Sequence, residues 1–289
     1  MAELLQHVLT GLGTGASYAL VGLGIALIVQ VTGVINFAQG DFVMLGALSF
    51  ALLAGAGVHP VLAAAISVAG AMAVGALVNL AVIAPARGAD HTRLIILTIG
   101  ASIVIQGTAL VAVGTKARFT PDFTPGELRL AGVNLPLQYL WIGGAAAVMV
   151  TGVWLLLTRT LLGRAMRAVA MDPAASRLVG ISPRRMSFAV FTLAALLGGI
   201  GGVMLAPIQA PDPQIGLALG LKGFTAAVVG GLDNPAGAVA GGLLIGVLEG
   251  LAAGYLPSGY KDAIVYGLLI AVLLTRPTGL LRTIAVARV

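Results

Sequence analysis

The stretch RTLLGRAMRAVAMDPAASRLVGISPRR, residues 159–185, separates two long apolar runs and holds Arg159, Arg164, Arg167, Arg177, Arg184 and Arg185 against a single acid, Asp172. Those six arginines come from sixteen basic residues in a chain of which only 9% is charged. Lys and Arg near the ends of membrane spans stay on the cytoplasmic side, so this stretch assigns inside and outside to everything else. It also has internal structure. Asp172 followed by Pro173 reads as an N-cap and first helical position, and Gly180 as a C-terminal stop, which leaves a short helix over Pro173–Val179. Just before it, Arg164 and Arg167 share one face of a helical wheel while Ala165, Met166, Val169 and Ala170 take another, a pattern suited to the membrane interface. Two readings stand: residues 159–186 dock a cytosolic protein through the short helix, or they form a topogenic, lipid-facing loop.

Composition narrows the architecture around that loop. With 289 residues, 59% of them apolar, 41 glycines and a mean hydropathy of +1.05, the chain is expected to be all-α: one polytopic helical membrane domain over residues 1–289. A span takes about 20 apolar residues, and the apolar runs use most of the length. The net charge of +6 is what cytoplasmic loops among anionic lipid headgroups produce, so membrane lipid is an expected partner and nucleic acid is not. The absence of cysteine excludes disulfides and thiolate chemistry. His7, His59 and His91 are too scattered to suggest a metal site. No phosphate loop, H-E-x-x-H or G-x-S-x-G occurs, so no residue is singled out as catalytic and ATP is not bound by that device. The N-terminus, with Glu3 and no basic residue before the first apolar run, does not look like a cleaved signal peptide.

Taken in order, the apolar runs are Val8–Val29, Phe42–Ala56, Val61–Ala84, Leu94–Val113, Leu137–Thr158, Ser187–Leu205, Ile215–Leu232, Ala236–Tyr255 and Asp262–Leu281. Arg87 and Arg93 turn the loop between the third and fourth inward. The proline-rich segment Gly114–Leu135 faces outward and reads as irregular. Tyr139, Trp141 and Trp154 sit where interfacial aromatics belong. Arg276, Arg282 and Arg288 put the C-terminal end inside. Charge parity then requires Ile215–Leu232 to cross, either as a thin span or as a re-entrant helix, giving eight to ten transmembrane helices, about nine with an outside N-terminus; a further partial crossing within Gly33–Asp41 would put the N-terminus inside.

The polar residues inside these runs are the candidate pathway. The break Gly33–Asp41 is too polar for lipid and too short for an external domain. Non-helical backbone at membrane depth survives only inside protein or along a watered cavity, which makes Asn36, Gln39 and Asp41 pathway candidates; an ordinary turn at the cytoplasmic surface is the alternative. A second interruption, Asp233-Asn234-Pro235, pairs with it in the manner of repeat-built transporters. Lys222, Asp41 and Glu249 are costly if deep, although Lys222 has the stem to snorkel outward. Thr14, Ser17 and Tyr18, and likewise Thr98, Ser102 and Gln106, each form one helix face, and helix packing is the commoner use of such a face. Gly198, Gly199, Gly201 and Gly202 read as close-packing positions.

Three motifs carry a resemblance over essentially the whole chain: Gly33-Val-Ile-Asn-Phe-Ala-Gln-Gly40, Lys222-Gly-Phe-Thr-Ala-Ala-Val-Val-Gly-Gly231, and Tyr260-Lys261-Asp262 with Arg276-Pro-Thr-Gly-Leu280. They resemble the shorter of the two permease types in branched-chain amino acid ABC importers. The resemblance adds Phe37 and Thr225 to Ser17, Tyr18, Asn36, Gln39, Asp41 and Lys222 as pathway candidates. It implies a bacterial inner-membrane subunit that pairs with a second homologous permease. Two cytosolic ATPases would hold ATP and Mg, with no cofactor on this chain, and a periplasmic binding protein would deliver substrate. Arg164, Arg167, Asp172, Ala174, Ala175, Arg177 and Gly180 fall in the ATPase-docking region. Ala174-Ala175-Ser176 with Gly180 keeps the spacing of the E-A-A-x-x-x-G element but has Ala174 where Glu is usual and Ser176 where the second Ala is usual. Permeases for urea and short amides look similar, and an ion-coupled secondary transporter using Asp41, Lys222 or Glu249 is the alternative from outside the family.

Overall fold

Glycine spacing decides how the central pair of helices packs. Gly242, Gly246, Gly250 and Gly254 recur every four residues and so fall on one helix face, opposite Ala19, Gly15, Gly11 and His7 of an antiparallel partner. A Cβ at Gly15 would lie 2.9 Å from Gly242 O, so only the missing side chain lets these backbones meet. The glycines at 198–202 are a separate set, with Gly199 against Ala71 and Gly202 against Val43 O.

The computed structural model describes residues 2–86, 88–130 and 132–281. Arg87, Arg282 and Arg288, used above to orient loops, lie outside those residues. Among the described residues the chain forms α1 (Ala2–Thr32), α2 (Gln39–Gly55), α3 (Pro60–Val78), α4 (His91–Val113), α5 (Leu137–Arg159), α6 (Leu161–Met171), α7 (Pro173–Leu178), α8 (Pro183–Leu205), α9 (Ile215–Gly230), α10 (Pro235–Tyr255) and α11 (Lys261–Thr275). A π-helical turn, Asn79–Ile83, prolongs α3. The segment expected to be irregular contains an antiparallel hairpin, β1 (Glu127–Leu130) with β2 (Val133–Pro136), turned through Gly132 at φ 82°.

Two ends of the bundle follow from the contacts. At the hairpin end, Gln6 Nε2 donates to Asn134 O at 3.1 Å, Arg118 N donates to Pro211 O at 3.1 Å, and the Phe50 and Phe123 rings lie 5.3 Å apart. At the arginine end sit α6, α7, the junction of Gly33 with His91, and the bond from Leu280 N to Val229 O at 2.8 Å. Following the described residues between these ends gives nine traverses, full or partial, with α1 starting at the hairpin end.

Among the described residues six helices, α3 counted with its π turn, are long and apolar enough to cross a membrane. By contrast α2, α9 and α11 have 17, 16 and 15 residues, or about 26, 24 and 22 Å against a hydrocarbon core of ~30 Å. The hub is α1, 83% buried over its most apolar window, while α4 and α5 are 17% buried and present apolar faces outward.

The two halves repeat with inverted direction. In α1–α4 a long helix is followed by an irregular segment (33–38), a short helix and two more; α8–α11 repeats that order through 206–214. The packing repeats as well, for α1 lies on α10 as α8 lies on α3, and α2 lies on α8 as α9 lies on α1. The interruption at Asp233-Asn234-Pro235 is therefore not the partner of the first break. It is a tight turn at the arginine end, where Asn234 caps α10 by accepting from Gly237 N at 3.1 Å. The matching segment is 206–214, at the hairpin end, where Pro211 O accepts from Arg118 N.

Candidate functional site

The first break turns back into the protein. Residues 33–38 leave the arginine end beside His91 and deliver α2 to mid-bundle, where Gln39 Nε2 donates to Ala194 O at 2.9 Å, halfway along α8. Asn36, Gln39 and Asp41 are 1%, 0% and 1% exposed, which rules out a turn at the surface. Interrupted backbone inside a membrane protein needs internal partners, and neighbouring side chains supply them. Thr98 Oγ1 accepts from Phe37 N at 3.3 Å, Asn36 Oδ1 accepts from Ala38 N at 3.2 Å, and Gln106 Nε2 donates to Asp41 Oδ1 at 2.8 Å and to Ser102 Oγ at 3.0 Å. The polar face Thr98, Ser102 and Gln106 of α4 thus packs on the break.

At this junction α2 and α9 begin side by side. A Cβ on Gly216 would lie 2.6 Å from Asp41 Oδ1, and one on Gly220 would lie 3.2 Å from Gly40 Cα. Helix N-termini carry partial positive charge, and Asp41 lies in the first turn of α2 and against the start of α9; among the described residues it takes part in no ion pair. Of the nine buried side-chain polar atoms without a partner among the described residues, four are Ser17 Oγ, Asn36 Nδ2, Gln39 Oε1 and Asp41 Oδ2. Each such group costs about 1–3 kcal/mol, and three of them cluster at one re-entrant segment, next to the paired Phe37 and Phe224 rings 5.8 Å apart.

Lys222 points elsewhere. It is two residues beyond Gly220, about 200° round the helix, and faces α10, α11 and α1. Its Nζ lies 2.6 Å from Glu249 Oε1, 3.0 Å from Asp262 Oδ1 and 3.5 Å from the Tyr18 hydroxyl. The Asp262 contact is ionic without hydrogen-bond geometry. Lys222 therefore does not snorkel to the surface; it joins three helices from within. The eight pathway candidates separate accordingly. Asn36, Phe37, Gln39 and Asp41 form the junction, and Tyr18 with Lys222 forms an ion-pair cluster on another face of α9. Thr225 is buried and bonds to Leu221 O of its own helix, and Ser17 is buried without a partner. The sequence groups Glu249 with Lys222 only as a charge costly at depth and shows Asp262 only at the head of the last run and in a motif; their spacings of 27 and 40 residues from Lys222 carry no helical signal that would pair them.

The arginine loop folds largely as its residues suggest. Asp172 Oδ1 accepts from Ala174 N at 2.7 Å and Ala175 N at 3.0 Å, Pro173 opens α7, and Gly180 takes φ 80°. The helix closes at Leu178, one residue before the expected Val179, which serves as its C-cap. In α6 the buried face is Gly163, Met166 and Val169, packed on α5, α1 and α8 rather than on lipid, while Arg164 and Arg167 are exposed. Around α7, Ala174, Ala175 and Arg177 are exposed and Ser176 is buried, and the apolar Met171, Leu178 and Val179 stand 88%, 89% and 74% exposed. Among the described residues no cluster of three metal-ligating side chains occurs.

A family profile described as branched-chain amino acid transport system, permease component, matches residues 7–273. The chain belongs to this family. It is 35% identical to the high-affinity branched-chain amino acid transport system permease protein BraD of Pseudomonas aeruginosa, over 96% of this chain and 95% of that one. It is 31% identical to the corresponding permease protein LivH of Escherichia coli K12, again over 96% and 95%. Among solved structures, PsaBC from Streptococcus pneumoniae in complex with Fab shares the fold, with a TM-score of 0.51 over 96% of this chain and 93% of that one at 12% identity. The protein is thus a multi-pass membrane permease of a multi-subunit transport family, and the all-α reading of the sequence holds, with a single hairpin among the described residues.

Proposed function

We propose that the chain is the permease subunit of an ATP-driven importer of branched-chain amino acids in the bacterial inner membrane, with its arginine end in the cytoplasm. It forms the translocation path with a second homologous permease. Two cytosolic ATPases hold ATP and Mg and bind at α7, a periplasmic binding protein delivers substrate, and this chain is not itself an enzyme. The observation that carries this reading is the near full-length similarity to BraD and LivH. Two features of the geometry support it. A capped helix ringed by exposed Met171, Leu178 and Val179 is a small rigid knob suited to a protein groove. A mid-bundle junction of buried, unpartnered polar atoms between two short helices suits a path whose walls rearrange.

The test is uptake by proteoliposomes containing this chain with its second permease, the ATPases and the binding protein. Radiolabelled leucine, isoleucine or valine is expected to accumulate only with ATP inside. Uptake of urea or a short amide instead would move the chain to the related substrate class. Uptake by this chain alone, driven by a proton or sodium gradient, would overturn the ATP-driven reading.

A further inference from the structure

We propose that a cleft at the arginine end binds the phosphate-bearing headgroup of an anionic phospholipid from the adjoining leaflet. The cleft measures about 880 Å³ and lies between α7 with the start of α8 on one side and the end of α1 with the 33–38 break on the other. Arg177, Arg184 and Ser182 form its polar wall, and Val34, Ile83 and Leu94 belong to its apolar one. Among the described residues no Asp or Glu lines it, and neither Arg177 nor Arg184 takes part in an ion pair there. Two guanidinium groups with free donors, in a concave site without carboxylates, match phosphate oxygens in charge and geometry.

The position favours a lipid over a free anion. The cleft sits where α1 ends, where α4 and α8 begin, and where the π turn closes α3, which is the level at which hydrocarbon gives way to headgroups. Basic side chains at that level draw anionic lipid, and the apolar wall accepts the glycerol and upper acyl chain that a free phosphate lacks. An occupant would touch both Val34 of the break and Pro173 of α7, so lipid composition would bear on the contact between docking helix and junction.

The experiment measures tightly bound lipid on the full-length chain in nanodiscs of phosphatidylcholine with one-fifth phosphatidylglycerol, released into native mass spectrometry. Wild type is expected to retain phosphatidylglycerol in preference to phosphatidylcholine. Arg177→Gln/Arg184→Gln is expected to lose that retention by on the order of tenfold. Arg164→Gln/Arg167→Gln removes the same charge from α6, outside the cleft, and is expected to keep it. Ser182→Phe, which fills the cleft without altering charge, serves as a second variant if the arginine pair impairs insertion, and the same loss is expected. Equal loss from both arginine pairs would reduce the effect to a diffuse field and overturn the site. Displacement of the lipid by millimolar inorganic phosphate, with phosphate retained in its place, would make the site one for a free anion and overturn the lipid assignment.

Discussion

Lys222 Nζ and Glu249 Oε1 lie 2.6 Å apart between α9 and α10, with side chains only 9% and 11% exposed. A buried pair of this kind is weak evidence of net stabilisation, because desolvation offsets much of the attraction, but removing one member strands a charge at a cost of about 3–5 kcal/mol. Lys222→Met is therefore expected to lower the thermal midpoint of the purified transporter steeply, and Glu249→Leu less so, because Asp262 Oδ1 remains 3.0 Å from Nζ. The double variant is expected to recover a large part of the loss, since Asp262 is half exposed and can hydrate. Strict additivity in a thermal-shift double-mutant cycle would mean that the pair is not coupled.

Gln106 is the donor to Asp41 Oδ1. Gln106→Leu leaves that carboxylate oxygen without its donor inside the bundle, at about 1–3 kcal/mol, and frees α4 from one of its few attachments to α2. Reduced leucine uptake with a lowered thermal midpoint is expected, whereas Asp41→Asn, of the same shape, is expected to retain more stability than Asp41→Leu. If Gln106→Leu transports and melts like wild type, the junction does not depend on this bond.

Gly15 and Gly143 separate packing from propensity. A Cβ at Gly15 meets Gly242 O at 2.9 Å, while one at Gly143 meets nothing within 4 Å. Gly15→Val is expected to force α1 from α10 and cost about 1–3 kcal/mol; Gly143→Val is expected to be nearly silent. Monodisperse elution of both variants at equal midpoints would refute the close approach.

Phe119 and Ala175 report the two ends. Both are exposed, and the chain contains no native cysteine. In intact cells an impermeant maleimide is expected to label Phe119→Cys and spare Ala175→Cys until the membrane is opened. Labelling confined to Ala175→Cys would invert the topology.

Asp172 and Ala175 test the docking knob. Asp172→Ala removes both cap bonds and is expected to cost about 0.5–2 kcal/mol of local helix stability, visible as partial loss of ATPase co-purification. Ala175→Glu places a bulky acid on the exposed face and is expected to abolish uptake while the chain remains inserted and folded. Normal ATP-dependent uptake by both variants would mean that coupling does not pass through α7.

The sequence alone determined the long apolar helices, the cap at Asp172, the stop at Gly180 and the arginine loop, because these rest on local physics, and its motifs carried the resemblance to the family. A segment in lipid must satisfy its own backbone bonds, so each long apolar run between polar breaks announces a helix regardless of what it packs against. Tertiary structure decided the rest. That Asp41 sits against Gly216, that Lys222 meets Glu249 and Asp262, and that 206–214 rather than 233–235 mirrors the first break all depend on which helices approach closely. Between helices in lipid that choice is made by shape, small residues and buried polar bonds rather than by hydropathy. Hydropathy is what a single sequence displays most clearly; the complementary partner of Gly15 or of Lys222 is known only once the helices are set side by side.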